Sequence, residues 1–226
     1  MSSINYLSVL RMNLFASWSG GKDCTLALYR ILQQKEHEVP YLINMCDVDG
    51  HHSRSHGMHK EVIARQAAQL GIEILQPETD TASYESKFKK AIAQLKEKGV
   101  TGGVFGDIYL QVHRDWIERV CADMDIQPFF PLWENSSAQM IEEFVNAGFK
   151  TRVVAVNTRL LPKDWLGRII DKQFISDILG LSGIDPCAEN GEYHSFVYDG
   201  PLFKQPIQVS LGKEYFKDNH WFLEVN

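Results

Sequence analysis

Residues 19–24 read Ser-Gly-Gly-Lys-Asp-Cys, and no other run narrows the possible folds of this chain as much. It lies between an apolar run, Met12 to Trp18, and a segment in which Cys24, Leu28, Ile31 and Leu32 recur at helical spacing. A strand leading into a glycine turn and then a helix makes an anion site. The glycines let backbone N–H groups converge, and the start of the helix adds partial positive charge. Lys22 contributes a full charge and Ser19 a hydroxyl, so the expected ligand is a phosphate chain. A Walker loop is excluded by spacing, because Ala16 stands five residues before Gly21 and Asp23 follows Lys22. The G-x-G-x-x-G dinucleotide spacing is absent as well.

The alternation continues downstream. Tyr41 to Cys46 is a short apolar run suited to a buried parallel strand. After a polar loop, Ile63, Ala67 and Leu70 share a helix face that stops at Gly71, and Ile72 to Leu75 reads as a strand. Tyr84, Phe88, Ala91, Ile92 and Leu95 stripe the next helix. The lysines on its other face (Lys87, Lys89, Lys90, Lys96) read as a solvated surface. Val100 to Phe105 is a strand leading to Gly106-Asp107, and a helix with Ile117, Val120, Cys121 and Met124 inward runs to Pro128. The pattern predicts an α/β fold, a doubly wound parallel sheet with helices on both faces and the ligand beyond the carboxyl ends of the strands. Four loops gather there: the glycine loop, Asp47–Gly57, Gln76–Thr81 and Gly106–Gln111.

Beyond Pro128 the pattern changes. Ser136-Ser137-Ala138-Gln139 reads as a capping box ahead of a helix with Met140, Ile141, Phe144 and Val145 inward. A strand over Val153–Val156 and a short helix over Phe174–Leu179 follow. Antiparallel strands are expected around Tyr193–Tyr198, Ile207–Leu211 and Trp221–Val225. The chain divides into an N-terminal tail at 1–11, a nucleotide-binding domain at 12–130 and a smaller α+β subdomain at 131–226.

A formal charge of −6 argues against a broad nucleic-acid surface. The cysteines Cys24, Cys46, Cys121 and Cys187 are scattered without a C-x-x-C pair, which predicts reduced thiols and a cytoplasmic location. Residues 1–11 do not read as a secretory signal, since Asn5 and Arg11 interrupt any apolar stretch, and no apolar run reaches membrane-spanning length. His51, His52, His56 and His59 crowd one loop. Spacing alone leaves two readings, solvent-facing histidines or a metal site completed by Asp47 and Asp49.

Residues 185–201 form a second constellation, in which Glu189, Asn190, Glu192 and His194 fall within six residues around Gly191. Such a turn can present acceptors and a titratable group to a ligand. A Ser-Gly-Gly-Lys-Asp loop resembles that of the ATP pyrophosphatases, the PP-loop family. Together with Glu189-Asn190-Gly191-Glu192-Tyr193-His194-Ser195-Phe196-Val197 and Asp199-Gly200-Pro201, it resembles the diphthine–ammonia ligase branch of that family. Ser53 to His56, Gln66-Ala67, Gly106-Asp107-Ile108, Arg114, Glu118 to Cys121, Pro131-Leu132-Trp133 and Gly148-Phe149 fit in order, so the resemblance covers roughly residues 13–203.

What the resemblance implies is specific. ATP, with Mg2+, would activate a carboxylate as an acyl-adenylate. Ammonia would then displace AMP, and pyrophosphate would be released. In the family the acceptor is diphthine, a modified histidine of translation elongation factor 2. Ser19, Gly20, Gly21, Lys22, Asp23 and Cys24 would grip the phosphates, although Cys24 stands where the family has Ser and a thiol is a poor donor. Asn44 and Met45 would meet adenine, Gly106 and Asp107 would complete the nucleotide side, and Arg54 and His56 would contact phosphate or the substrate carboxylate. Lys22, Glu189, Glu192 and His194 are the expected catalytic residues, with Asn190 and Gly191 joining the last three in acceptor binding. Asp23 is the expected magnesium ligand, and either His56 or His194 could take a proton from ammonium. Two other readings stay open. One is the same activation applied to another small carboxylate or a tRNA base, against which the acidic charge stands. The other is a nucleotide sensor without chemistry, which would have no need of the acidic turn.

Overall fold

The structure is a computed structural model that describes residues 11–54 and 57–226. Of the expected tail only Arg11 is among them, and His56 lies outside the described residues. The first strand, β1 (Asn13–Ser17), shows why both sheet faces must be covered. Leu14 and Ala16 pack into one apolar cluster and Phe15 into another. Successive side chains point to opposite faces, so a strand buried on both sides needs a helical layer on each. In chain order α1 (Lys22–Gln34), β2 (Glu38–Ile43), β3 (Cys46–Asp47), α2 (Lys60–Leu70), β4 (Glu73–Leu75) and β5 (Glu78–Thr79) follow. Next come α3 (Tyr84–Lys96), β6 (Val100–Val104), α4 (Gln111–Asp123) and β7 (Gln127–Phe129). Five of these strands form a parallel sheet in the order β4-β2-β1-β6-β7. Helices α1 and α2 bury their apolar faces on one side, and α3 and α4 on the other. The order reverses between β1 and β6, which opens a crevice at their carboxyl ends.

Two features of this half differ from the sequence reading. The run Tyr41–Cys46 is not one strand, because Asn44 breaks it. Its amide donates to Trp18 O at 2.8 Å and Ser53 Oγ at 2.9 Å, and Cys46–Asp47 then pairs with Glu78–Thr79 as a separate two-stranded ribbon. Pro128 does not end the sheet either. It sits in the fifth strand, at the sheet edge, where a missing N–H breaks no inner ladder bond.

The second half comprises α5 (Ser137–Asn146), β8 (Lys150–Asn157), α6 (Lys172–Leu179), β9 (Tyr193–Asp199), β10 (Leu211–Lys217) and β11 (His220–Val225). Its four strands form an antiparallel sheet in the order β10-β11-β8-β9. The capping box is not formed. Ser136 caps α5 without a side-chain bond, and the Ser137 hydroxyl donates to Asp185 Oδ2 at 3.1 Å. The strand expected at Ile207–Leu211 begins only at Leu211 and runs to Lys217, all of it exposed. It turns into β11 through Asp218 and Asn219, both at positive φ, the geometry that suits a two-residue hairpin. The larger apolar cluster runs from Leu14 in β1 to Val225 in β11, so both halves share one core. No helix among the described residues is long and apolar enough to cross a membrane.

Phe15 is fully buried and meets Phe88 and Phe105 edge-on at 6.0 and 5.8 Å. Phe15→Ala should cost about 3–5 kcal/mol, read as a lower denaturant midpoint at an unchanged slope. A loss below about 1 kcal/mol would mean that this face is not the packed layer described above.

Candidate active site

The glycine loop is shaped by what lies beneath it. Gly20 has φ of 82°, and a Cβ there would fall 2.6 Å from both Gln66 Oε1 and Ile63 Cδ1. A side chain at this position is therefore excluded by strain and by space alike. Gly21 caps α1 in extended conformation without a side-chain bond, so the first-turn N–H groups face outward with the positive end of the helix dipole. One of them, Lys22 N–H, donates to Ser195 Oγ at 3.1 Å. Ser19 Oγ accepts from Gly21 N–H at 3.3 Å and lies 3.4 Å from Cys24 Sγ. The Cys24 thiol donates back to Gly21 O at 3.2 Å, and burial pushes its pKa up. Cys24 is thus a neutral brace of the loop, and its backbone N–H remains in the first turn.

Gln66 on α2 ties the loop to the second half. It is fully buried, accepts from Trp18 Nε1 at 3.0 Å, and donates to Gly20 O at 2.9 Å and to Val197 O at 2.6 Å. Val197 N–H closes the ring by donating to Gly20 O at 3.0 Å. This residue was legible in the sequence only as part of the family resemblance, because a buried glutamine on an apolar helix face carries no signature of its partners.

The acidic turn is held from inside by Glu192. Its carboxylate is buried and accepts from Asp185 N–H at 2.9 Å, Asn190 N–H at 3.1 Å and Asn190 Nδ2 at 3.3 Å. Asp185 in turn accepts from Cys187 N–H, Ser137 and Tyr109. Ala188 and Gly191 both take positive φ, which folds the turn back on itself. Lys22 reaches this turn from the glycine loop. Its ammonium, buried, donates to Cys187 O and to Asp23 Oδ2 at 2.9 Å, and it stands 5.2 Å from the Tyr193 ring centre. Burial is the largest influence and alone would lower its pKa, but Asp23, Tyr193 and Cys187 together raise it above its ordinary value, so Lys22 stays charged.

Between loop and turn lies a cavity of about 310 Å3 at the sheet's reversal point. Of the expected residues, Ser19, Asp23, Cys24, Met45, Gly106 and Asp107 line it from the first half, and Glu189 and His194 from the second. Gly106 must lack a side chain, since a Cβ would fall 2.9 Å from the Asp23 and Cys24 backbone. Gly20, Gly21, Lys22, Asn44, Asn190, Gly191 and Glu192 are not among the lining residues, and their side chains or backbone brace the walls. Arg54 is engaged by Asp47 at 2.8 Å and Thr81 at 2.6 Å, and it lines a neighbouring cavity. Tyr84 and His113 line the site without having been singled out. Tyr84 read as part of an apolar stripe, and His113 lies 3.3 Å from Asp107, a pairing between loop and helix that no spacing rule announces.

Electrostatics set the site's chemistry. Burial pushes the Glu189 carboxyl up to about 7, helped by the negative charges of Asp23 and Asp107. Burial, with His220 nearby, holds His194 down to about 4, so its ring is neutral at physiological pH. A bond donated to the Asp107 carboxylate raises His113. Glu189 therefore exchanges a proton near neutrality, where general acid–base groups work best. Among the described residues no three His, Cys, Asp or Glu side chains are grouped for a metal ion. In the histidine loop, His52 pairs with Asp49 at 2.6 Å and meets the His59 ring at a tilt of 39°. Magnesium that arrives on a nucleotide needs only one or two carboxylates besides the phosphates, and Asp23 and Asp107 fit that demand.

Comparison with known proteins places these observations in a family. The model for the diphthamide synthase N-terminal domain matches residues 12–128, and that for the diphthamide synthase C-terminal domain matches residues 136–226. A Danio rerio protein named diphthine–ammonia ligase is 29% identical over 150 residues, which is 65% of this chain and 59% of its own length. A human protein of the same name is 29% identical over 119 residues, 51% of this chain and 45% of its own. A Mus musculus counterpart is 24% identical over 226 residues, covering 88% and 83%. The chain thus spans about half the length of the first two.

Two outcomes follow from this geometry. Gln66→Leu strands the Trp18 N–H and the Val197 carbonyl in the interior, and should cost about 2–4 kcal/mol in denaturant unfolding. The second concerns pH. Glu189 holds its proton more tightly folded, at about 7, than at its ordinary 4.5, so its contribution to stability is full below 4.5 and falls as pH rises to about 7. His194 has the opposite sign, and its contribution is lost as pH falls from 6.5 towards about 4. Glu189→Gln removes only the first effect. Its stability relative to the parent should climb between pH 4.5 and about 7 and then level off. A difference that is flat with pH would contradict the assigned environment.

Proposed function

This chain belongs to the diphthamide synthase family, and from that premise we propose that it joins ammonia to the carboxylate of a diphthine-type acceptor at the expense of ATP. The carboxylate oxygen attacks the α-phosphorus, pyrophosphate leaves, and an acyl-adenylate remains. Ammonia then adds to the acyl carbon, the C–O bond to AMP breaks, and one proton is shed to form the amide. The observation that carries this reading is the single cavity that joins the glycine loop to a carboxyl, Glu189, poised near neutrality.

Placement supports a role for each residue. Ser19 and the backbone from Gly20 to Cys24 cradle the phosphates at the start of α1, with Gly106 allowing close approach. Met45 lies beside the nucleotide at the end of β2, and Asn44 fixes that strand end through its side-chain bonds with Trp18, Ser53, Gln76 and Cys46. Glu189 receives the proton from the attacking nitrogen. Glu192, Asn190 and Gly191 position it, and Lys22 holds turn and loop together beneath the phosphates. His194, neutral and accepting, orients the acceptor. Asp23 and Asp107 face the cavity where a polyphosphate would enter, an arrangement that repels the ligand unless a cation comes with it. Magnesium, held by those two carboxylates, would neutralise charge on the departing pyrophosphate.

Incubation with Mg-ATP, ammonium and a diphthine-type acceptor should yield AMP, pyrophosphate and amide in equal amounts. ADP and phosphate as the products would refute the bond assignment. Glu189→Gln should bind ATP nearly as tightly as the parent while amide formation falls roughly 10²–10⁴-fold, the scale of a positioned acid–base group. If ATP affinity collapses and the rate at saturation does not, Glu189 belongs to nucleotide binding.

A further inference from the structure

The acidic turn is tied to the first half of the chain at a point that phosphate binding does not explain. Tyr109 stands on the loop after β6, between Asp107 and Leu110, both of which line the nucleotide cavity. Tyr109 itself is not a lining residue. It is exposed, and its hydroxyl donates to Asp185 Oδ2 at 2.5 Å. Asp185 gathers bonds from several directions. The same oxygen accepts from the Ser137 hydroxyl at the start of α5, at 3.1 Å, and Oδ1 accepts from Cys187 N–H at 2.6 Å. Its own N–H donates to Glu192 Oε1 at 2.9 Å. Of these partners only Tyr109 belongs to the first half.

The two ends of the Tyr109 bond differ in how firmly they are held. On the loop side, Ile108 is fully buried and its carbonyl accepts from Glu134 N–H at 2.8 Å, while Gly106 lies close against the backbone of Asp23 and Cys24. On the turn side, Ala188 N–H bonds Asp185 O at 2.9 Å and Gly191 N–H bonds Ala188 O at 3.0 Å, so these backbone bonds stay within the turn itself. Loss of the hydroxyl therefore frees the turn, not the loop, and Glu189 moves with the turn. Glu189 faces Asp23 at the start of α1, Asp107 and His113 across the cavity, Lys22 beneath, Asp185 in its own turn and His194 on β9. Charge repulsion weakens with distance, and water entering around a carboxyl favours its ionised form. Proton affinity at Glu189 is thus a gauge of where the turn sits.

We propose that Tyr109 is a positioning residue: its hydroxyl, acting through Asp185, holds the acidic turn over the glycine loop at the height where Glu189 meets the attacking nitrogen. The assignment rests on the amidation reading above and adds to it a side chain that touches neither nucleotide nor acceptor. Proton transfer needs its two heavy atoms within about 3 Å of each other, and a displacement of about 1 Å costs on the order of 100-fold in rate. Lys22 fixes the turn to the nucleotide loops at one point, the Cys187 carbonyl. The Tyr109 bond at Asp185 adds a second point, and two points set the tilt of the turn as well as its distance.

The test is Tyr109→Phe in the full chain, which keeps the exposed ring and removes only the hydroxyl. The NMR signal of the Glu189 carboxyl carbon, assigned by its absence from Glu189→Gln, should titrate at about 7 in the parent. In Tyr109→Phe its midpoint should move clearly down towards the ordinary 4.5. An unchanged midpoint would overturn the proposal, and that measurement needs no substrate. With Mg-ATP, ammonium and a diphthine-type acceptor, kcat for amide formation should fall about 10- to 100-fold at an unchanged KM for ATP. A change confined to that KM would overturn the proposal too. In Glu189→Gln the same substitution should bring no further loss, because Tyr109 acts through the carboxylate already removed. Losses that multiply in the double variant would contradict that route. A lowered midpoint in a protein that forms no AMP would uphold the positioning role and defeat the amidation reading. AMP formation with an unchanged midpoint would do the reverse.

Discussion

A single buried amide connects everything that this site requires. Gln66 accepts from the Trp18 indole and donates to the carbonyls of Gly20 and Val197, so three separate chain segments meet on one side chain. An amide suits the place because it accepts on one side and donates twice on the other, and here every one of those capacities is used. A carboxylate could not donate, and an apolar residue would leave buried polar groups without partners, each at a cost of about 1–3 kcal/mol. The positive φ of Gly20, the direction of the α1 N–H groups and the approach of β9 all depend on that junction.

The cavity above it concentrates negative charge. Asp23, Asp107 and Glu189 face a common space, and their mutual repulsion is part of what lifts Glu189 to about 7. The buried Lys22 ammonium offsets part of this from below without entering the cavity. Proton affinity at Glu189 is thus set by the whole constellation, and any cation that enters with a ligand will pull it down.

Much of the architecture was legible in the chain itself. Buried parallel strands and striped helices announce themselves by period, and the glycine loop announces its strand–turn–helix frame by the residue types around it. Three of the features that escaped did so for plain physical reasons. β7 holds a proline, which normally argues against a strand but is harmless at an edge. β10 is exposed along its whole length, so it has no inward face to produce an alternating pattern. In the acidic turn, sequence placed Glu189 and Glu192 on equal terms. Only the fold separates them, because the left-handed residues Ala188 and Gly191 leave Glu189 lining the cavity while Glu192 is drawn beneath to accept from the turn's own N–H groups.

The bond from Lys22 to Cys187 O and the bond from Val197 N–H to Gly20 O make the phosphate loop and the acidic turn neighbours in one hydrogen-bonded assembly. Free energy that a ligand gives to the ordering of the loop would therefore be shared with the turn. Under the proposed reading, with a nucleotide on the loop and an acceptor at the turn, such linkage is reciprocal, and each ligand would change the affinity for the other by the same factor.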